Sequence, residues 1–160
     1  MIQERKTIMP ASKEQVVANL QKAYNMEVET VINYLANSLD MEGVRAEFIK
    51  QALATDIQEE LGHAQQLGNR IKQLGGSVPG SLHLKMEQKS LQPPADSTDV
   101  VDVIRGVIKA EDEAIGQYRL IIKQTDGEDY VTQDLAITLL AAEEQHRQQF
   151  DGYLKEYTKR

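Results

Sequence analysis

The sequence predicts an all-α protein, a four-helix bundle of two antiparallel hairpins joined by a long crossover. Three observations predict it. Long runs rich in Ala, Leu, Glu, Gln and Lys favour helix, while the aromatic share is only 5% and Trp is absent. Apolar residues recur at spacings of three and four over four separate stretches. Between the second and third stretches the pattern breaks from Ser77 to about Asp96, at Pro79, Gly80, Pro93 and Pro94, and a link of that length can run along a whole bundle.

The first helix is expected to start near Ser12, where Ser12-Lys13-Glu14-Gln15 has the form of a capping box, and to run to about Asp40. Its apolar stripe is Leu20, Ala23, Tyr24, Val31 and Tyr34. The second begins after Met41-Glu42-Gly43 and ends at Gly75-Gly76, with Leu53, Ile57, Ala64, Leu67 and Ile71 on one face. The third runs from about Ser97 or Thr98 to Thr125, faces inward with Ile104, Val107, Ile108, Ile115 and Tyr118, and closes at Asp126-Gly127. The fourth runs from about Asp129 to near Tyr157 and carries Leu135, Leu139, Ala142, Phe150 and Leu154. Residues 1–11 are an N-terminal extension, and residues 12–160 form the bundle as one domain.

A chain of 160 residues, 41% apolar and 27% charged, has the size and balance of one soluble domain with a real core. The absence of cysteine excludes disulfides, a four-thiolate iron site and thiolate chemistry, and it fits a cytoplasmic protein. The start of the chain has no apolar core of signal-peptide length, and no apolar run approaches the roughly 18 residues of a membrane span. Neither export nor a membrane is expected. A net charge of −7 argues against nucleic acid as the main partner, because phosphate binding rests on Lys and Arg. Arg5, Lys6, Lys155, Lys159 and Arg160 read as solvated termini, the five methionines as structural or surface residues, and His83 as a surface residue of the crossover.

The other two histidines each follow a glutamate by three residues, Glu60 with His63 and Glu143 with His146. On a helix these positions share a face, so each pair can present one carboxylate and one imidazole to the same metal ion. Two further glutamates precede the pairs at nearly equal distances, Glu27 before Glu60 and Glu111 before Glu143. At about 100° per residue, Glu27 lies within about 40° of Leu20, Val31 and Tyr34, whereas Glu29 is turned about 200° away. By the same geometry Glu111 faces inward and Glu113 outward, and Glu60 and Glu143 lie in line with Leu53 and Leu67 and with Leu139 and Phe150. One glutamate per helix and two histidines thus point into the core. Four ionised carboxylates in an apolar core are tolerable only if cations compensate them. Two divalent metals do so, with Glu60 and Glu143 bridging, Glu27 and Glu111 as terminal ligands, and His63 and His146 completing one ion each. The mixed oxygen and nitrogen set suits iron or manganese, and zinc would also bind. Tyr34, seven positions after Glu27, is either plain core or a phenol close enough to a redox metal to donate an electron.

On Glu27 through Tyr34, Glu60-Leu-Gly-His63, Glu111 with Tyr118-Arg119, and Asp129-Tyr-Val-Thr-Gln-Asp-Leu-Ala-Ile-Thr-Leu-Leu-Ala-Ala-Glu143-Glu-Gln-His146, the chain resembles the bacterioferritins and related Dps-like ferritins. The resemblance spans about Ser12 to Leu154. It implies a ferritin-like bundle and a ferroxidase centre of two iron ions that oxidises Fe(II) with dioxygen or hydrogen peroxide. It also implies subunits that pair and assemble into an iron-storing, stress-protective shell. Glu27, Glu60, His63, Glu111, Glu143 and His146 match the family's six ligands, and Tyr34 matches its tyrosine beside the centre. The chain has no methionine between Met41 and Met86, where bacterioferritins place a haem ligand, so haem is not expected. The short fifth helix is expected to be lacking, which favours a twelve-subunit shell or a smaller oligomer. A manganese catalase or other di-metal oxidoreductase uses the same ligand pattern, and a structural or DNA-protecting shell is a third reading that the acidic composition opposes.

Overall fold

The computed structural model describes residues 10–159. Four long helices carry the fold: α1 (Lys13–Asp40), α2 (Glu47–Gln73), α3 (Val100–Thr125) and α4 (Tyr130–Tyr157). There is no strand among the described residues, and α1 packs mainly on α2 and α3 mainly on α4. The N-terminal extension falls almost wholly outside the described residues.

Local chemistry sets most of the boundaries. Ser12 caps α1 with a reciprocal box: Gln15 N–H donates to Ser12 Oγ at 3.2 Å, and Ser12 N–H to Gln15 Oε1 at 2.8 Å. α2 ends in a Schellman motif, Gly76 N–H to Ile71 O and Gly75 N–H to Lys72 O, both 2.9 Å, with Gly75 at φ +80 where a side chain would be strained. Asp99 caps α3 and Asp129 caps α4. Two expected starts are thereby corrected. α3 begins at Val100 rather than at Ser97 or Thr98, because Thr98 is held by the Asp96 carboxylate and Asp99 takes the cap. α2 begins at Glu47, since Gly43 turns the chain at φ +93 and residues 44–46 complete that turn. No helix follows α4 among the described residues.

The apolar core is in two parts. One end of the bundle holds Tyr34, Ile49, Leu53, Ile104, Val107 and Phe150, and the other holds Leu20, Leu67, Ile71, Tyr118, Ile121 and Leu139. On every helix the inward glutamate lies between the two parts, so a polar layer divides the bundle at mid-height.

The crossover, where the helical pattern breaks, contains a 3-10 turn at Ser81–His83 and is stitched to α1. Asn25, Glu29, Asn33 and Asn37, four residues apart and therefore on one face of α1, hold it in turn. Asn25 exchanges bonds with the Lys85 backbone at 2.8 and 2.6 Å, and Glu29 accepts from Gln88 N–H at 2.6 Å. Asn33 donates to Gln88 Oε1 at 2.7 Å and Asn37 to Leu91 O at 2.9 Å. Glu29, expected to turn away from the core, does so but is buried at 6% exposure, because the crossover covers it.

The crossover also presses on α3 at Gly106, where a Cβ would stand 2.4 Å from Ser90 O and 3.3 Å from Leu91 Cα. Alanine gains up to about 1 kcal/mol over glycine in helix propensity, yet overpacking against backbone costs about 1–3 kcal/mol. Gly106→Ala is therefore expected to destabilise the protein, seen as a lower midpoint in urea. A raised midpoint would mean that the crossover yields freely.

Candidate metal centre

The polar layer holds all six residues expected as ligands, each buried to 5% exposure or less. They form two overlapping tetrads: Glu27, Glu60, His63 and Glu143, and Glu60, Glu111, Glu143 and His146. Within each, one donor atom per residue lies within 4.8 Å of the others. Glu60 and Glu143 belong to both tetrads, and Glu27 and Glu111 to one each.

Distances around the imidazoles define the geometry. His63 Nδ1 stands 2.9 Å from Glu143 Oε1, 3.3 Å from Glu60 Oε2 and 3.8 Å from Glu27 Oε2. His146 Nδ1 stands 3.2 Å from Glu60 Oε1, 3.7 Å from Glu143 Oε2 and 3.8 Å from Glu111 Oε1. These are ion-pair distances without hydrogen-bond angles. Both oxygens of Glu60, Oε1 of Glu143 and Nδ1 of both imidazoles have no hydrogen-bonding partner. Buried polar atoms left unpaired cost about 1–3 kcal/mol each. Five in one place, all metal-ligating types, fit a pair of divalent ions that would take up their lone pairs.

Charge within the layer points the same way. Burial, together with the neighbouring Glu60 and Glu143, pushes Glu27 well above the usual carboxylate range. Burial, together with Glu143, does the same for Glu111. Burial would also raise Glu60 and Glu143, but the flanking His146 and His63 hold both low. Burial works to lower the imidazoles, yet the carboxylates around them win and push each up to about 12. Without metal, protonated histidines take the place of the cations.

Four residues have roles that the sequence does not announce: Glu59, Tyr118, Gln88 and Met26. Glu59 Oε2 lies 3.1 Å from His146 Nε2, and Glu59 Oε1 lies 4.0 Å from His63 Nε2. A carboxylate at Nε2 keeps a proton there and leaves Nδ1 free to ligate. Its signal was the four-residue spacing to His63. Tyr118 donates its hydroxyl to Glu27 Oε1, while Tyr34 donates to Glu111 Oε1 at 2.7 Å. Gln88 lines a small cavity of about 10 Å³ that reaches Glu27, Glu60, Glu111 and Glu143, room for about one water molecule. Met26 and Gln88 also line an open groove of about 1110 Å³ between α1, α3 and the crossover, so they form the partition between solvent and the centre. His83 is exposed and lines that groove, away from the tetrads.

Comparison with known proteins gives the family and the relatives of this fold. The ferritin-like domain family matches residues 17–159. A DNA protection during starvation protein from Pyrococcus furiosus is 28% identical over 144 residues, which cover 88% of this chain and 77% of that protein. The bacterioferritin-related protein of Bacteroides fragilis, described as a dodecameric thioferritin, superposes with a TM-score of 0.80 at 26% identity, covering 91% of this chain and 88% of that one. The bacterioferritin of Desulfovibrio desulfuricans, described with a diiron site, shares the fold at a TM-score of 0.76 and 22% identity, covering 89% and 80%.

Proposed function

The chain belongs to the ferritin-like domain family, and from that premise we propose that it is a di-iron ferroxidase, oxidising Fe(II) with dioxygen or hydrogen peroxide for iron storage, detoxification and protection from oxidative stress. The observation that carries the reading is the pair of buried tetrads sharing Glu60 and Glu143. Glu27 and His63 would complete one iron position, Glu111 and His146 the other, and Glu60 and Glu143 would bridge them. Iron bound there exchanges electrons with the oxidant. The protein's own part is to hold the two ions side by side, to orient the His146 imidazole through Glu59, and to keep bulk water out with Met26 and Gln88.

Assembly into a homo-oligomeric shell belongs to the same proposal. It is supported by the dodecameric Bacteroides fragilis relative and by Ile32, Leu35 and Leu39, exposed at 48%, 50% and 73% along one face of α1.

The reading is tested on purified protein by metal analysis, Fe(II) oxidation and light scattering together. The expected result is about two ions taken up per chain, rapid oxidation by dioxygen or peroxide, and an assembly far larger than 18.0 kDa. Bound manganese with catalase turnover and slow iron oxidation would contradict it.

A further inference from the structure

The centre is nearly symmetric between the two hairpins. Tyr34 follows Glu27 by seven residues on α1, and Tyr118 follows Glu111 by seven on α3. Their hydrogen bonds are exchanged: the tyrosine of α1 donates to the glutamate of α3, and the tyrosine of α3 to the glutamate of α1. Both rings are sealed, at 0% and 1% exposure. Of the chain's six tyrosines, these two alone donate to carboxylates of the tetrads. Packing alone asks only for a phenylalanine at such positions, since a buried hydroxyl has to find a partner.

An electron count gives the pair a use. Two Fe(II) ions yield two electrons, which take dioxygen only as far as hydrogen peroxide. Reduction to water takes four. Resting on the ferroxidase reading, we propose that Tyr118 is a second electron donor beside Tyr34, and that the two phenols supply the third and fourth electrons so that one centre reduces dioxygen to water. In balance, one O2, two Fe(II), two tyrosines and two protons give two Fe(III), two tyrosyl radicals and two water molecules. Each phenolic O–H bond breaks; its electron goes to oxygen, and its proton passes along the existing hydrogen bond to Glu27 or Glu111 and on to the reduced oxygen. Two further Fe(II) ions and two protons then restore both phenols and leave two more Fe(III). The cycle consumes four Fe(II) per O2.

The geometry suits that step. Each phenol already has its proton acceptor in place, Tyr34 on Glu111 Oε1 at 2.7 Å and Tyr118 on Glu27 Oε1, so the proton can leave together with the electron. A third electron alone would leave a hydroxyl radical inside the bundle, so a centre that lacks the second phenol stops at peroxide with its remaining tyrosine unoxidised. Two donors avoid it.

The test uses the full chain, with Tyr118→Phe, Tyr34→Phe and the double variant beside the wild type. Oxygen uptake, released peroxide and radical content after rapid freezing are measured, and Zn(II) binding serves as a redox-silent control. The expected result is about four Fe(II) per O2 and a tyrosyl radical in the wild type. Tyr118→Phe should fall towards two Fe(II) per O2, a halving, with peroxide released, the radical reduced to half or less and Zn(II) stoichiometry unchanged. Tyr118→Phe with wild-type ratio and radical yield would overturn the proposal, as would a lower Zn(II) stoichiometry accounting for the change, since Tyr118 would then only position Glu27. A wild type already at two Fe(II) per O2 would overturn it while leaving the ferroxidase reading intact. A wild type that oxidises no iron would remove both.

Discussion

Glu60→Ala is expected to lower the rate of Fe(II) oxidation by at least about a thousand-fold, about 4 kcal/mol of barrier. The size follows from position. Glu60 turns Oε2 to His63 at 3.3 Å and Oε1 to His146 at 3.2 Å, so it serves both tetrads, and neither oxygen has a hydrogen bond to lose. On the proposed reading, removing it would take one ligand from each of two ions and the bridge between them. Glu111→Ala, by contrast, takes one ligand from a single tetrad and should cost less. Stopped-flow oxidation with a Zn(II) titration reads both effects: binding of two ions should be lost in Glu60→Ala, and one ion should survive in Glu111→Ala. Equal, small losses in both variants would mean that Glu60 does not bridge.

Metal-free and metal-loaded protein are expected to respond to pH in opposite directions. A histidine whose folded pKa is raised to about 12 contributes stability that is complete below its unfolded value of about 6.5 and is lost as pH rises towards 12. Glu27 and Glu111, also raised, act in the same sense from a lower starting point. Glu60 and Glu143, held low, contribute above the usual glutamate range near 4.3 and lose that contribution as pH falls. Metal-free protein should therefore be most stable in mildly acidic solution and melt at progressively lower temperature as pH rises from about 6.5 to 10. Metal binding displaces the protons on the two histidines, up to about two per pair of ions, so affinity for the pair rises by as much as about 10² per pH unit. Metal-loaded protein should become more stable over the same interval. Thermal melts with chelator and with Zn(II), together with proton release in weakly buffered titrations, check this. Parallel pH profiles for the two forms would contradict the charge assignment.

The fold and the six candidate ligands could be read from the sequence because both rest on helical period. Glu27, Glu60, Glu111 and Glu143 stand in apolar stripes where a carboxylate is costly, and three-residue spacing fixes where His63 and His146 point. Capping residues marked the start of α1 and the end of α2 closely. The path of the crossover was not legible, because proline and glycine say where a helix stops but not where the chain then lies. Its guide was the polar ladder Asn25, Glu29, Asn33 and Asn37, whose four-residue spacing is also that of an ordinary solvated face. Glu29 turns from the core of the bundle, as its helical angle predicts, but the crossover covers it. Tyr118 was placed in the core, but its bond to Glu27 crosses between helices, and spacing within one helix does not show such a partner. Glu59 carries a signal only towards His63, four residues on. It is half exposed, and only the folded bundle brings it to both imidazoles.

The ferroxidase reading stands on two metal ions sharing Glu60 and Glu143. Anomalous diffraction from crystals grown anaerobically with Fe(II) tests it most directly. Two iron peaks are expected about 3.5–4 Å apart, one flanked by Glu27 and His63, the other by Glu111 and His146, with both shared glutamates between them. A single peak, or iron bound away from the two tetrads, would contradict it.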